Sequence, residues 1–260
     1  MTGWVNLLLL AAEIRVETAA TPGGIQFGWV GERPQKPAPT VFFLGGAIAD
    51  SLTQPQYQEA IEVLGSGVFK VTLDLPGHGT QTRPGEPVSL NAWRYRLDRG
   101  EDVAGDFTRR ARMLLDHLVE AKLTDPAKVA VLGTSRGGFL AFHFAAAEPR
   151  VRWVAGFAPV TDLLVLREFF EMPGAERARA IAARQLGDRL YDRSIWIAIG
   201  STDDRVDTNR AIEFTQRVVE SAAARAARPR IELHIEPSEG HRAPDGAYGA
   251  AARWLLRLWR

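Results

Sequence analysis

The sequence predicts an α/β fold, a mostly parallel central sheet of about eight strands with helices on both faces. Three observations predict it. Short, nearly continuous apolar runs of strand length recur along the chain, and longer segments with helical periodicity alternate with them. The pentapeptide Gly133-Thr134-Ser135-Arg136-Gly137 then joins one such run directly to one such helix. Unbroken apolar runs are what a parallel strand requires, because crossover helices bury it on both faces.

Taken in order, Ile14–Thr18 and Ile25–Val30 read as two strands joined at Thr21-Pro22-Gly23-Gly24, a hairpin. Gly31 to Thr40 is a proline-containing loop. Buried-strand runs follow at Val41–Leu44, Phe69–Leu73, Val129–Leu132, Trp153–Phe157 and Ile195–Ile199. Ile231–Ile235 alternates polar and apolar residues, as an edge strand does. Helices are expected over Gln56–Leu64, Glu101–Lys122, Gly137–Ala147, Thr208–Ala226 and Ala247–Trp259. The long second one carries Val103, Phe107, Ala111, Leu114, Leu115 and Leu118 on one stripe. Residues 163–192 break the rhythm: they read as helical throughout and are richer in apolar residues than a crossover helix needs. We read them as a small helical cap inserted before the penultimate strand of one domain spanning 1–260.

Composition narrows the function classes. The chain has 260 residues, 46% of them hydrophobic and 24% charged, with a formal net charge of +1. That near-neutral balance gives no reason to expect nucleic acid or an anionic membrane as partner. The arginines near 109–112 and 225–230 read as solvated faces. There is no cysteine, which excludes disulfides, thiolate metal sites and a cysteine nucleophile. No histidine–carboxylate cluster has metal-ligand spacing, and no Gly-x-Gly-x-x-Gly opens a helix after the early strands, so no metal or cofactor is expected. The apolar run from Leu7 to Ala12 is too short to span a bilayer and lacks a preceding basic stretch. It reads as a packed N-terminal segment. Cytoplasmic location is the default, with export left open.

The chemistry-bearing residues lie at the carboxyl ends of the expected strands, where an open α/β sheet binds its ligands. Gly-x-Ser-x-Gly between strand and helix places Ser135 on a strained turn that exposes its hydroxyl, with small flanking residues permitting the close approach. A serine needs a base to take its proton and a carboxylate to orient that base. His234 lies within the alternating strand and is expected to face solvent. His241, in the loop after that strand, is the candidate base. Asp203, Asp204 and Asp207 follow the preceding strand and are candidate acids, with Asp162 one strand earlier. The oxyanion would be held by the backbone N–H of Arg136 and by one from the loop Leu44-Gly45-Gly46-Ala47, with Gly46 and Ala47 both open.

Gly133–Gly138, Leu-Asp-Leu-Pro-Gly-His-Gly at 73–79, Gly-x-x-Asp-Asp-x-Val at 200–206 and Gly-His at 240–241 together resemble the α/β-hydrolase superfamily. The last two motifs are most similar to its prolyl-oligopeptidase-like and dienelactone-hydrolase-like branches. The resemblance covers roughly residues 41–260 and implies an α/β-hydrolase fold and a serine hydrolase. In the peptidase branch the first aspartate of such a pair is the triad acid, which gives Asp203 that role.

The chain departs from the pattern at three points. Leu44 stands where many relatives carry a histidine. Dienelactone hydrolases use a cysteine nucleophile, and 260 residues leave no room for an oligopeptidase propeller. These departures favour a serine carboxylesterase acting on small-molecule esters of short or hydroxycinnamic acids. The alternatives are a small serine peptidase or amidase, and a hydrolase-fold binding protein without catalysis. His78, His117 and His143 read as structural. Trp93 and Tyr95, in a stretch read as irregular, are candidate pocket walls.

Overall fold

The computed structural model describes residues 14–260, so the run Leu7–Ala12 lies outside the described residues. Eight strands form one sheet: β1 (Val16–Ala20), β2 (Gln26–Val30), β3 (Ala38–Leu44), β4 (Phe69–Thr72), β5 (Thr124–Thr134), β6 (Val151–Phe157), β7 (Ser194–Gly200) and β8 (Arg230–Glu236). Their spatial order is β1-β2-β4-β3-β5-β6-β7-β8. The β1–β2 hairpin closes where the Thr21 hydroxyl and carbonyl take the N–H groups of Ile25 and Gly24. β2 pairs antiparallel with β4, and every pair from β4 to β8 is parallel.

Nine α-helices are described: α1 (Ile48–Thr53), α2 (Pro55–Leu64), α3 (Ser89–Asp98), α4 (Val103–Glu120), α5 (Arg136–Ala147), α6 (Ala175–Ala180), α7 (Gly187–Leu190), α8 (Thr208–Ala223) and α9 (Ala247–Leu258). The alternation along β3 shows how they are layered. Phe42 and Leu44 join a core shared with α3, α4, α5 and α8, whereas Val41 and Phe43 join a second core shared with α2 and α9. Both sets are fully buried. Burying each large apolar side chain contributes about 1.5–3 kcal/mol. The α4 stripe is buried from Val103 to Leu118, and Asp102 caps that helix by accepting from Gly105 N–H at 2.9 Å.

Strand order fixes the location of the site. The chain leaves β3 for β4 on one side and then returns across β3 to β5 on the other. Adjacent connections therefore diverge above the carboxyl ends of β3 and β5, opening a crevice there.

Two sequence readings are corrected. The stretch holding Trp93 and Tyr95 is not irregular but helix α3. Trp93 is fully buried with its indole N–H donated to the Pro76 carbonyl at 2.7 Å, so it belongs to the core rather than to a pocket wall. The helix hides in the sequence because buried Arg96 interrupts its apolar pattern, paired to Glu86 at 2.7 Å. Residues 163–192 are not one helical run either. They form 3-10 turns at Leu163–Val165, Arg167–Phe169 and Ala183–Leu186 together with α6 and α7. Pro173-Gly174 and the positive φ of Glu171 interrupt the helix there.

His143, on α5, packs inside this helical layer and donates from Nε2 to the Ile181 carbonyl at 2.8 Å. Burial pushes its pKa down to about 4 from 6.5. As pH falls below 6.5 the unfolded chain takes up a proton that the folded chain refuses until about 4, so stability drops across that window and is unaffected above it. The loss is on the order of 3 kcal/mol. His143→Gln can keep the bond to Ile181 and should flatten this part of the acid limb in urea titrations at successive pH values. A limb identical to that of the unsubstituted protein would contradict the assignment.

Candidate active site

Ser135 links β5 to α5 with φ 53° and ψ −117°, a conformation that a side chain adopts only under strain. The turn is held by Ser135 N–H donating to the Phe157 carbonyl at 2.9 Å, and by Val160 N–H donating to the Ser135 carbonyl at 3.0 Å. Its closeness explains the flanking glycines. A Cβ at Gly133 would collide with the backbone of Gly137, and one at Gly137 would collide with the Leu44 carbonyl.

Two loops bring partners to the serine. His241 accepts from or donates to Ser135 Oγ through Nε2 at 2.9 Å, and its Nδ1 lies 2.8 Å from Asp203 Oδ2. Because a carboxylate accepts, Nδ1 carries the ring proton and Nε2 is the acceptor for the serine hydroxyl. The Asp203 side chain is fully buried, and its Oδ1 takes the N–H groups of Arg205 and Val206 at 3.1 and 3.2 Å. The other acids are elsewhere. Asp204 is exposed, Asp207 caps α8, and Asp162 accepts from Leu164 N–H. His234 is half-buried against the Trp196 ring rather than turned to solvent.

The loop after β3 is also held. Gly46 N–H donates to Ser51 Oγ at 3.0 Å, and the Gly46 carbonyl accepts from Leu75 N–H at 3.0 Å. Asp74, buried, accepts from Ile48 N–H at 2.8 Å and from both N–H and hydroxyl of Thr80. The N–H groups of Ala47 and Arg136 make no hydrogen bond among the described residues.

The sequence reading missed a group of side chains beside this loop. The Arg136 guanidinium donates from Nη1 to His78 Nε2 at 2.9 Å and to Ser89 Oγ. His78 Nδ1 faces the Pro76 carbonyl at 3.0 Å, so the proton sits there and Nε2 accepts from the arginine. Burial lowers the pKa of His78, opposed by the Pro76 bond and reinforced by Arg136. Arg205 pairs with both carboxylate oxygens of Glu168 at 2.6 and 2.7 Å. A cavity of about 470 Å³ adjoins His241, lined in part by Gln56, Glu59, Thr134, Pro244 and Tyr248.

This arrangement can now be compared with known proteins. The sequence profile of the prolyl oligopeptidase family matches residues 92–259, more than half of the chain. The chain belongs to the prolyl oligopeptidase family. Its architecture is that of the α/β-hydrolases. A curated relative, the 2,6-dihydropseudooxynicotine hydrolase of Paenarthrobacter nicotinovorans, is 28% identical over 127 residues, which are 49% of this chain and 30% of that protein. A puromycin-hydrolyzing peptidase of Mycobacterium tuberculosis superposes with a TM-score of 0.67 at 15% identity, over 93% of this chain and 37% of its own. Acetyl xylan esterase 1 of Thermoanaerobacterium sp. superposes with a TM-score of 0.59 at 18% identity, over 95% of this chain and 89% of its own. The chain thus spans under a third of the curated relative and over a third of the peptidase. At these identities the structural matches establish the fold. Among the described residues, no helix is long and apolar enough to cross a membrane.

The glycine contacts yield a direct test. Gly137→Ala forces its methyl group into the Leu44 carbonyl and should destabilise the protein by about 3 kcal/mol or prevent folding. Gly67→Ala, with open space around the new methyl, should stay within about 0.5 kcal/mol of the parent. Urea midpoints compare them, and equal midpoints would contradict the close approach of α5 to β3.

Proposed function

We propose that the protein is a serine carboxylesterase acting on small esters through an acyl-enzyme. The observation that carries the reading is the continuous relay from Ser135 Oγ to His241 to buried Asp203, at 2.9 and 2.8 Å. Ser135 attacks the ester carbonyl while His241 Nε2 takes its proton. Asp203 holds the ring in the tautomer that leaves Nε2 free and stabilises the imidazolium as it forms. The developing oxyanion is taken by the N–H groups of Arg136 and Ala47. Gly46, an equal candidate in the sequence, is assigned no such role because its N–H is engaged by Ser51. One such donor contributes about 10²–10³ in rate.

His241 then returns the proton to the departing alkoxide, which must leave on the side that faces the imidazole. The cavity of about 470 Å³ beside His241 is placed to receive that alcohol and is of small-molecule size. Water repeats the sequence on the acyl-enzyme, with His241 as base, and releases the acid. Residues 163–172 are tied to the Asp203 loop through Glu168, which pairs with Arg205. Membership of the prolyl oligopeptidase family supports a second reading in which the same relay cleaves a peptide or amide bond.

Hydrolysis of p-nitrophenyl esters from acetate to dodecanoate, set against dipeptide p-nitroanilides, separates the two. We expect ester turnover with a short-to-medium chain optimum and little anilide cleavage. Ser135→Ala should abolish turnover. Asp203→Asn should lower kcat by about 10⁴, and Asp204→Asn should leave it nearly unchanged. Anilide cleavage without ester turnover would move the assignment to the peptidase.

A further inference from the structure

The guanidinium of Arg136 is unusual among the arginines near the site, because no carboxylate lies within ion-pair distance of it among the described residues. Its Nη1 hydrogens are both spent, on His78 Nε2 and on Ser89 Oγ. Both partners are neutral: the hydroxyl carries no charge, and burial disfavours the protonated form of His78. Among the described residues Nε and Nη2 meet no acceptor, and both keep access to solvent. Arg136 itself is half-buried, and its pKa is lowered by that burial, opposed chiefly by the field of Glu168. Glu168 acts on it only through that field, since its carboxylate lies beyond ion-pair distance and is paired instead with Arg205. Asp74 is likewise occupied, by Ile48 and Thr80.

What remains is the Nε–Nη2 edge of a partly desolvated cation with no directly paired carboxylate, on the residue after the nucleophile. That edge presents two parallel N–H donors, the fork that takes a carboxylate in bidentate fashion. Its direction is fixed by its anchors. His78 follows β4 and Ser89 opens α3, on the face of the sheet packed by α3, α4 and α5, whereas the cavity that would receive the alcohol lies beside His241 on the face packed by α2 and α9. A group held by Arg136 therefore belongs to the acyl half of the substrate.

We propose that Arg136 is a carboxylate-recognition residue and that the preferred substrates are half-esters, whose acyl group carries a second, ionised carboxyl. This rests on the carboxylesterase reading. The second carboxylate displaces solvent from Nε and Nη2 and compensates the guanidinium, while the scissile carbonyl lies against the backbone N–H of the same residue. A site built to pair a charge discriminates strongly against a ligand that lacks it, because the unpaired cation is left desolvated.

The test compares p-nitrophenyl hydrogen glutarate with p-nitrophenyl valerate, which replaces the distal carboxylate by a methyl group. The readout is the ratio of their kcat/KM values in the unsubstituted protein, Arg136→Gln and Arg136→Lys. We expect the unsubstituted ratio to exceed about 10, to fall to one or below in Arg136→Gln, and to be partly kept in Arg136→Lys. A purely structural role, holding His78 beside Gly46, would lower both values together and leave the ratio unchanged, which would overturn the proposal. So would an unsubstituted ratio at or below one. Melting temperature with free glutarate, compared with neutral glutaramide, supplies a readout that needs no turnover. Glutarate alone should raise it, and only where Arg136 is intact. If neither ester were cleaved the carboxylesterase reading would fail, and the melting shift would still decide whether Arg136 binds carboxylate: no shift overturns it.

Discussion

Helix α5 begins one residue after β5 ends, and the chain makes that reversal with Ser135 at φ 53°. Such a conformation costs roughly 1–3 kcal/mol and survives only where its surroundings over-determine it. Here they do. Gly133 and Gly137 let the start of α5 press against both its own strand and the Leu44 carbonyl of β3. Backbone bonds to Phe157 and from Val160 pin the turn from β6 and the loop after it. The same approach lifts the hydroxyl above the sheet and points the N–H of Arg136 beside the loop leaving β3. Large apolar residues on both faces, Phe42 and Phe144 on one and Phe43 and Phe157 on the other, supply the packing that sustains the strain.

The sheet order distributes the remaining groups. β5 is central, so one flank of Ser135 is served by the loop after β4 and the other by the loops after β7 and β8. The β8 flank carries the hydrogen-bonded chain from Ser135 to His241 and Asp203, with Asp203 buried and His241 partly open to solvent. The β4 flank carries the held loop and the Arg136–His78 contact. Asp74, Ser51 and Leu75 fix that loop through backbone groups, so its geometry is set before any substrate arrives. Preorganised donors of this kind are worth most where water is excluded.

Much of this was legible in the sequence, for physical reasons that also mark where reading stopped. Strands buried on both faces announce themselves as apolar runs, as β3 to β7 do, while β1 and β2 are marked by their turn and β8 by its alternation. Ser135 is visible because its turn needs glycines on both sides at fixed spacing. His241 and Asp203 are visible because they follow strands, Asp203 only with help from the family resemblance. Local signals fail where stabilisation is long-range. Helix α3 is obscured by Arg96, whose burial is compensated by Glu86 ten residues earlier. The side-chain partners of Arg136 and the Glu168–Arg205 pair join segments far apart in sequence, which no periodicity records. Residues 163–192 carry helical composition, yet Pro173-Gly174 and Glu171 break the helix, and composition registers the first fact more strongly than the second.

The proposed activation of Ser135 by His241 and Asp203 is open to stoichiometric labelling with a fluorophosphonate, mapped by peptide mass spectrometry. One adduct per chain is expected, on the peptide containing Ser135, with labelling slowed by several orders of magnitude in His241→Ala. An adduct on another residue, or undiminished labelling of Ser135 without the imidazole, would contradict it.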